Sequence, residues 1–178
     1  MRKQTITQGL LFFSLLSGSC TYGQTTSPPK FWLSGGVGKT HLPSAMVAAG
    51  YEFSQIPTVL TARYSVSGEL MQMVEPGIKV SEIGLLYGLR IGKFRMSAGL
   101  SRVWGNNRGK YLFSDPDPLM GTGQVYEYVP YQTIGLPAEV RYITSLKHIG
   151  IGVTGFGNLN AKRSFAGLNV SLYVGRLK

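Results

Sequence analysis

Cysteine is nearly missing from this chain: Cys20 is the single one among 178 residues, so no disulfide can close within it. Histidine occurs only at His41 and His148, and two histidines with one cysteine make no zinc-type cluster. Charge is thin as well, 15% of the residues where typical soluble domains carry about 25%. Acidic residues are the scarcer sign, 8 against 18 basic ones. No apolar run approaches the roughly 20 residues that carry a helix across a bilayer. A disulfide scaffold, a zinc domain and a helical membrane protein are thereby set aside. What remains is a chain of single-domain length with too little charge to coat a soluble surface.

The first residues read as an address. Arg2 and Lys3 precede a short apolar core, Leu10 to Leu16, and Thr21-Tyr22-Gly23 offers small residues for cleavage. The expected organisation is a signal peptide over 1–23 and one domain over 24–178. Ser17-Gly18-Ser19-Cys20 has some likeness to a lipidation box, but Leu16 lies four residues before the cysteine rather than three. Cleavage after Gly23 removes Cys20 altogether. The net charge is +10, and removing Arg2 and Lys3 leaves a basic chain. In a secreted protein this points to an anionic lipid surface or lipopolysaccharide phosphate rather than to nucleic acid, beside the plainer reading of basic loops and turns without a specific ligand.

Beyond the leader, the dominant signal is a period of two. Ile83, Leu85, Tyr87, Leu89 and Ile91 alternate with Glu82, Gly84, Leu86, Gly88 and Arg90, which is the pattern of a strand with one apolar face. Similar stretches predict strands near 30–41, 44–55, 58–70, 80–92, 93–105, 127–145, 148–159 and 164–177. Each is long enough for the roughly 9–11 residues of a tilted transmembrane strand. An even number lets an antiparallel sheet close, and closure matters because hydrocarbon cannot satisfy an open edge. Glycine, 24 residues and nearly twice its usual share of about 7%, suits a cramped interior.

The connections alternate too. Those around 55–57, 91–93 and 145–147 are short. Those around 41–43, 71–79, 106–126 and 160–163 are generally longer, as expected of periplasmic turns and extracellular loops. Parity assigns the faces. Leu60, Ala62, Tyr64 and Val66, then Phe94, Met96, Ala98 and Leu100, share the apolar phase, as do Ile134 to Tyr142 and Leu168 to Val174 at alternate positions. The opposite phase carries Arg63, Glu69, Glu82, Arg90, Arg95, Glu139 and Arg141. A basic side chain in lipid costs about 2–4 kcal/mol near the midplane, so these charges are expected to point inward and pair. Phe31, Phe53, Phe94 and Tyr142 fall near one set of strand ends and Trp104 near the other, as interfacial belts do. Arg102 shares the phase of Trp104, where its long stem can reach the headgroups.

On these patterns the chain resembles the small eight-stranded outer-membrane β-barrel proteins of Gram-negative bacteria. The likeness is carried by Glu82-Ile83-Gly84-Leu85-Leu86-Tyr87-Gly88, Ile134-Gly135-Leu136-Pro137-Ala138-Glu139 and Gly155-Phe156-Gly157-Asn158-Leu159-Asn160. It implies an all-β antiparallel transmembrane barrel, placed in the outer membrane by the outer-membrane assembly machinery. The chain departs from the group by ending Gly175-Arg176-Leu177-Lys178 without a terminal aromatic.

Chemistry is sparse. His41 beside Ser44 is the one nucleophile-and-base pairing available, and adjacent loop residues lack the third group that would hold the base in place. Gly35-Gly36-Val37-Gly38-Lys39-Thr40 does not have phosphate-loop spacing. No catalytic, metal or cofactor residue is therefore assigned. The best location for specific binding is the connection at 106–126, with Arg108, Lys110, Tyr111, Phe113, Asp115 and Asp117, open to an extracellular partner. The expectation is an outer-membrane protein with a structural or surface-interaction role and an interior filled by side chains. Two alternatives stand beside it: an enzyme modifying outer-membrane lipid, and a soluble periplasmic barrel with an apolar ligand inside.

Overall fold

The computed structural model describes residues 28–70, 74–115 and 123–177. The leader expected over 1–23, with Cys20, lies outside them, as does Asp117. Eight strands follow one another: β1 (Lys30–Lys39), β2 (Pro43–Glu52), β3 (Thr58–Gly68), β4 (Lys79–Ile91), β5 (Phe94–Ser114), β6 (Gln124–Leu146), β7 (Ile149–Asn160) and β8 (Phe165–Gly175). Each pairs antiparallel with the next, and β8 pairs with β1. The sheet is closed, so within the barrel no edge is left to be satisfied by solvent.

Alternation of side chains in the sequence becomes inside and outside in the barrel. In β4, Ile83, Leu85, Tyr87 and Leu89 are exposed, while Glu82 and Leu86 are buried. In β3, Leu60 and Tyr64 are exposed while Thr61, Arg63 and Ser65 are buried. The exterior is thus the apolar surface and the interior the polar one, the reverse of a soluble barrel. Small inward residues make room for large ones. A Cβ added at Gly50 would collide with the Trp32 ring, so the indole seats only because that position is glycine.

One end of the barrel carries tight connections. Gly92-Lys93 and Lys147-His148 are two-residue turns, and Gly92 and Lys147 have φ of 59° and 54°. Positive φ at the first turn residue is what lets a short connection follow the twist of the strands. The other end differs from the sequence expectation at one place. The connection expected over 106–126 is mostly strand: β5 has 21 residues and β6 has 23, against 10–13 in the others. Pairing with β4 stops at Asn106 and pairing with β7 at Gly135. Beyond those points the two strands pair with each other, with register shifts between Arg108 and Tyr111 and between Tyr111 and Phe113, and Glu75 bridges Val125 on the β6 edge. Alternation is weak there because a two-stranded ribbon beyond the closed sheet has no lumen to fill on one of its faces.

Candidate functional site

The lumen holds the densest chemistry in the molecule. At its middle, four side chains of alternating sign run from wall to wall: Glu82 on β4, Arg63 on β3, then Glu139 and Arg141 on β6. Arg63 Nη2 donates to both oxygens of Glu82 at 2.8 and 2.9 Å, and Arg63 Nη1 reaches Glu139 Oε2 at 3.1 Å. Arg141 forks onto Glu139 through Nε at 2.6 Å and Nη2 at 2.8 Å. All four side chains are fully buried. Removing four charges from water is costly, and only opposite charges with saturated hydrogen bonding offset it. That condition is met at the carboxylates. Glu82 also accepts from Ser65 Oγ and from Asn158 Nδ2, so neither carboxylate keeps an oxygen without a donor.

A second cluster lies nearer the tight turns. Glu52, buried at the end of β2, accepts from Arg95 Nε at 2.9 Å, Arg90 Nη1 at 3.2 Å and Trp32 Nε1 at 3.2 Å. Trp32 meets Tyr173 edge-on at 5.3 Å between ring centroids, and the Arg141 guanidinium lies 5.1 Å over the Trp32 ring. This aromatic pair therefore joins the two charge clusters.

The structure brings six of the seven expected interior charges into these two clusters. Glu69 is the exception. It follows β3 at the mouth, where Arg108 Nη2 reaches it at 2.6 Å. Arg108, expected on a free binding loop, instead clamps the preceding connection, donating to the carbonyls of Val74 and Pro76. Glu52, Trp32, Asn158 and Tyr173 were missed by the sequence reading of the network. Their signal was parity: Glu52 shares the inward phase of Ala48 and Gly50, and Trp32 that of Ser34.

The remaining residues of the expected loop are at the ribbon. Lys110, Tyr111 and Phe113 are exposed on β5, and the Tyr111 ring meets Tyr126 of β6 at 5.7 Å. Asp115 follows β5 and its backbone N–H donates to Gly123 O. The main chain of Glu75 bonds to Gln124 and Tyr126, so the 74–78 segment covers part of one ribbon edge. His41 is exposed in its turn, whereas Ser44 faces the lumen. The two side chains belong to different faces. No group of three or more potential metal ligands occurs among the described residues.

Outside, aromatics mark two levels. Phe94 with Tyr142 and Tyr51 with Phe53 lie at the tight-turn end, and Tyr64 with Trp104 toward the other. The sequence matches no family model and no curated protein. Among solved structures, a major outer membrane protein of Thermus thermophilus is similar at a TM-score of 0.58, over 84% of this chain and 100% of that one. The chain has the fold of the eight-stranded outer-membrane barrels. The N-terminal β-barrel domain of Pseudomonas aeruginosa OprF shares it at a TM-score of 0.50, over 82% of this chain and 96% of that domain. Both are 8% identical to this chain, so the likeness to these outer-membrane barrels lies in the path of the backbone and carries over no site residue.

Proposed function

We propose that this chain is an integral outer-membrane protein of a Gram-negative bacterium, with a structural or surface-interaction role and a lumen closed by its own side chains. One observation carries the reading: a continuous apolar exterior encloses an ion-paired interior. Val37, Leu60, Leu85, Leu100, Leu136, Val153 and Leu172 are all exposed, while Arg63, Glu82, Glu139 and Arg141 are buried. Water would penalise that outer surface and a bilayer would not. The middle of the lumen is occupied by buried ion pairs rather than by an apolar lining, which disfavours an apolar ligand inside a soluble barrel.

The interior also argues for a plug over a catalytic site, because its carboxylates are saturated by arginine, serine and asparagine donors. A lipid-modifying enzyme would need another base, and His41 and Ser44 do not share a face. On this reading the leader directs export, the assembly machinery inserts the barrel, and the β5–β6 ribbon rises from the outer surface as the part offered to a partner.

Membrane fractionation with comparison of unboiled and boiled gel mobility tests the proposal. Recovery in the outer membrane with heat-dependent migration is expected. A soluble protein whose migration ignores heating would overturn it.

A further inference from the structure

Arg163 donates to Asn107 Oδ1, and five other arginines of the lumen and its mouth meet carboxylates: Arg63, Arg90, Arg95, Arg108 and Arg141. Arg102 does not. It sits on the outward phase of β5 between Leu100 and Trp104, opposite Ile83 of β4 and Ile134 of β6. Among the described residues no carboxylate lies within ion-pair distance of it. Its Nη2 donates to Gln132 Oε1 at 2.9 Å, which fixes the guanidinium against β6 and leaves most of its five N–H donors facing out.

The surroundings form a shallow groove of about 670 Å³, lined by Ile83, Arg102, Trp104, Tyr128, Pro130 and Gln132 among others. It lies where β6 has passed the end of its pairing with β7 at Gly135, while β4 still pairs with β5 as far as Asn106. Its level is marked by Tyr64, whose ring lies 6.3 Å from Trp104 and whose strand position pairs with Ile83. Below it the wall is apolar, through Leu85, Leu100 and Leu136.

We infer that this groove binds the phosphorylated headgroup of a membrane lipid, with Arg102 holding the phosphate and the acyl chains lying down the β4–β5–β6 wall. The inference rests on the membrane reading given above. A guanidinium presents a planar pair of donors that matches a phosphate. Arg in the bilayer is costly at the midplane and nearly free at the interface, which is where the aromatic level puts it. The tryptophan and tyrosine offer the amphipathic rings that belong in the headgroup layer. A small soluble anion would use the arginine alone. A lipid uses the arginine and the apolar wall beneath it.

Trp104 reports on the site, because the only other tryptophan, Trp32, is buried in the lumen. The folded full chain is reconstituted in phosphatidylcholine vesicles containing a minor fraction of phosphatidic acid, with bromine on the acyl chains of one lipid at a time. Brominated phosphatidic acid is expected to quench Trp104 as though enriched about five-fold over its bulk fraction, the effect of one well-placed basic residue. Arg102→Gln should bring quenching down to the bulk value while Arg176→Gln keeps the enrichment. Equal quenching per mole by both brominated lipids in a heat-modifiable barrel would overturn the headgroup site and leave the membrane reading intact. Loss of the preference on adding inorganic phosphate at constant ionic strength would replace the lipid by a soluble anion. Absence of quenching by either lipid would sink the membrane reading and the site with it.

Discussion

Arg63 Nη1 lies 3.1 Å from Glu139 Oε2, although β3 and β6 share no hydrogen-bonded edge. The contact spans the lumen. It ties opposite walls of the sheet together, and Glu82 and Arg141 extend the run of ion pairs across the lumen. An ion pair of this kind adds little stability compared with an apolar filling, but breaking one side of it is expensive.

Replacing Glu139 by Gln leaves Arg63 and Arg141 competing for a neutral acceptor. Urea unfolding of the barrel in lipid vesicles should show a loss of about 3 kcal/mol. Combining it with Arg63→Met should cost less than the two single changes together, because the second substitution removes a stranded charge. Strict additivity would mean that the two residues do not depend on one another.

The same plug predicts a silent barrel. In planar bilayers the native protein should show no steady conductance, and the Arg63→Ala, Arg141→Ala double variant should open a path through the cleared middle. Identical traces from both would place the constriction elsewhere, with the Glu52 cluster the next to test.

Gly50 leaves the space that the Trp32 ring occupies in the lumen, so Gly50→Val should push the indole off Glu52 and Tyr173. Overpacking of this kind costs about 1–3 kcal/mol. In a Trp104→Phe background the emission of Trp32 should shift to longer wavelength as the ring loses its buried position. An unchanged spectrum would show that the wall yields instead.

Lys147 holds a φ of 54°, a left-handed conformation that disfavours any side chain with a Cβ. Lys147→Gly should therefore stabilise the β6–β7 turn by up to about 1 kcal/mol, read as a higher urea midpoint. A lower midpoint would mean that the lysine side chain contributes more than its backbone strain costs.

Arg108 clamps the 74–78 connection through Glu69 and two carbonyls. Arg108→Ala should speed proteolysis within that segment about tenfold, equivalent to roughly 1.4 kcal/mol of lost clamping. Cleavage at the native rate would assign the order of the segment to its main-chain bonds with Gln124 and Tyr126.

The eight strands and their faces were legible in the sequence because a barrel wall separates an apolar exterior from a polar lumen at every residue, and that separation writes itself as a period of two. The charges on the inward phase were legible for the same reason. The β5–β6 ribbon was not. Residues 107–114 lie beyond the closed barrel, so alternation fades while hydrogen bonding continues, and a strand there reads as a loop. The role of Glu52 was hidden because parity gives a face but not a level along the axis.

Sequence by itself thus determined which side chains turn inward, since that depends only on position along one strand. Which inward charges meet was decided by tertiary structure alone. Closure and stagger of the sheet set the height at which β3 faces β6, and so brought Arg63 to Glu139 while carrying Glu69 up to the mouth. The same closure left Arg102 outside, where its phase in the strand had already placed it, but where only the neighbouring Gln132, Trp104 and Tyr128 make it the floor of a groove.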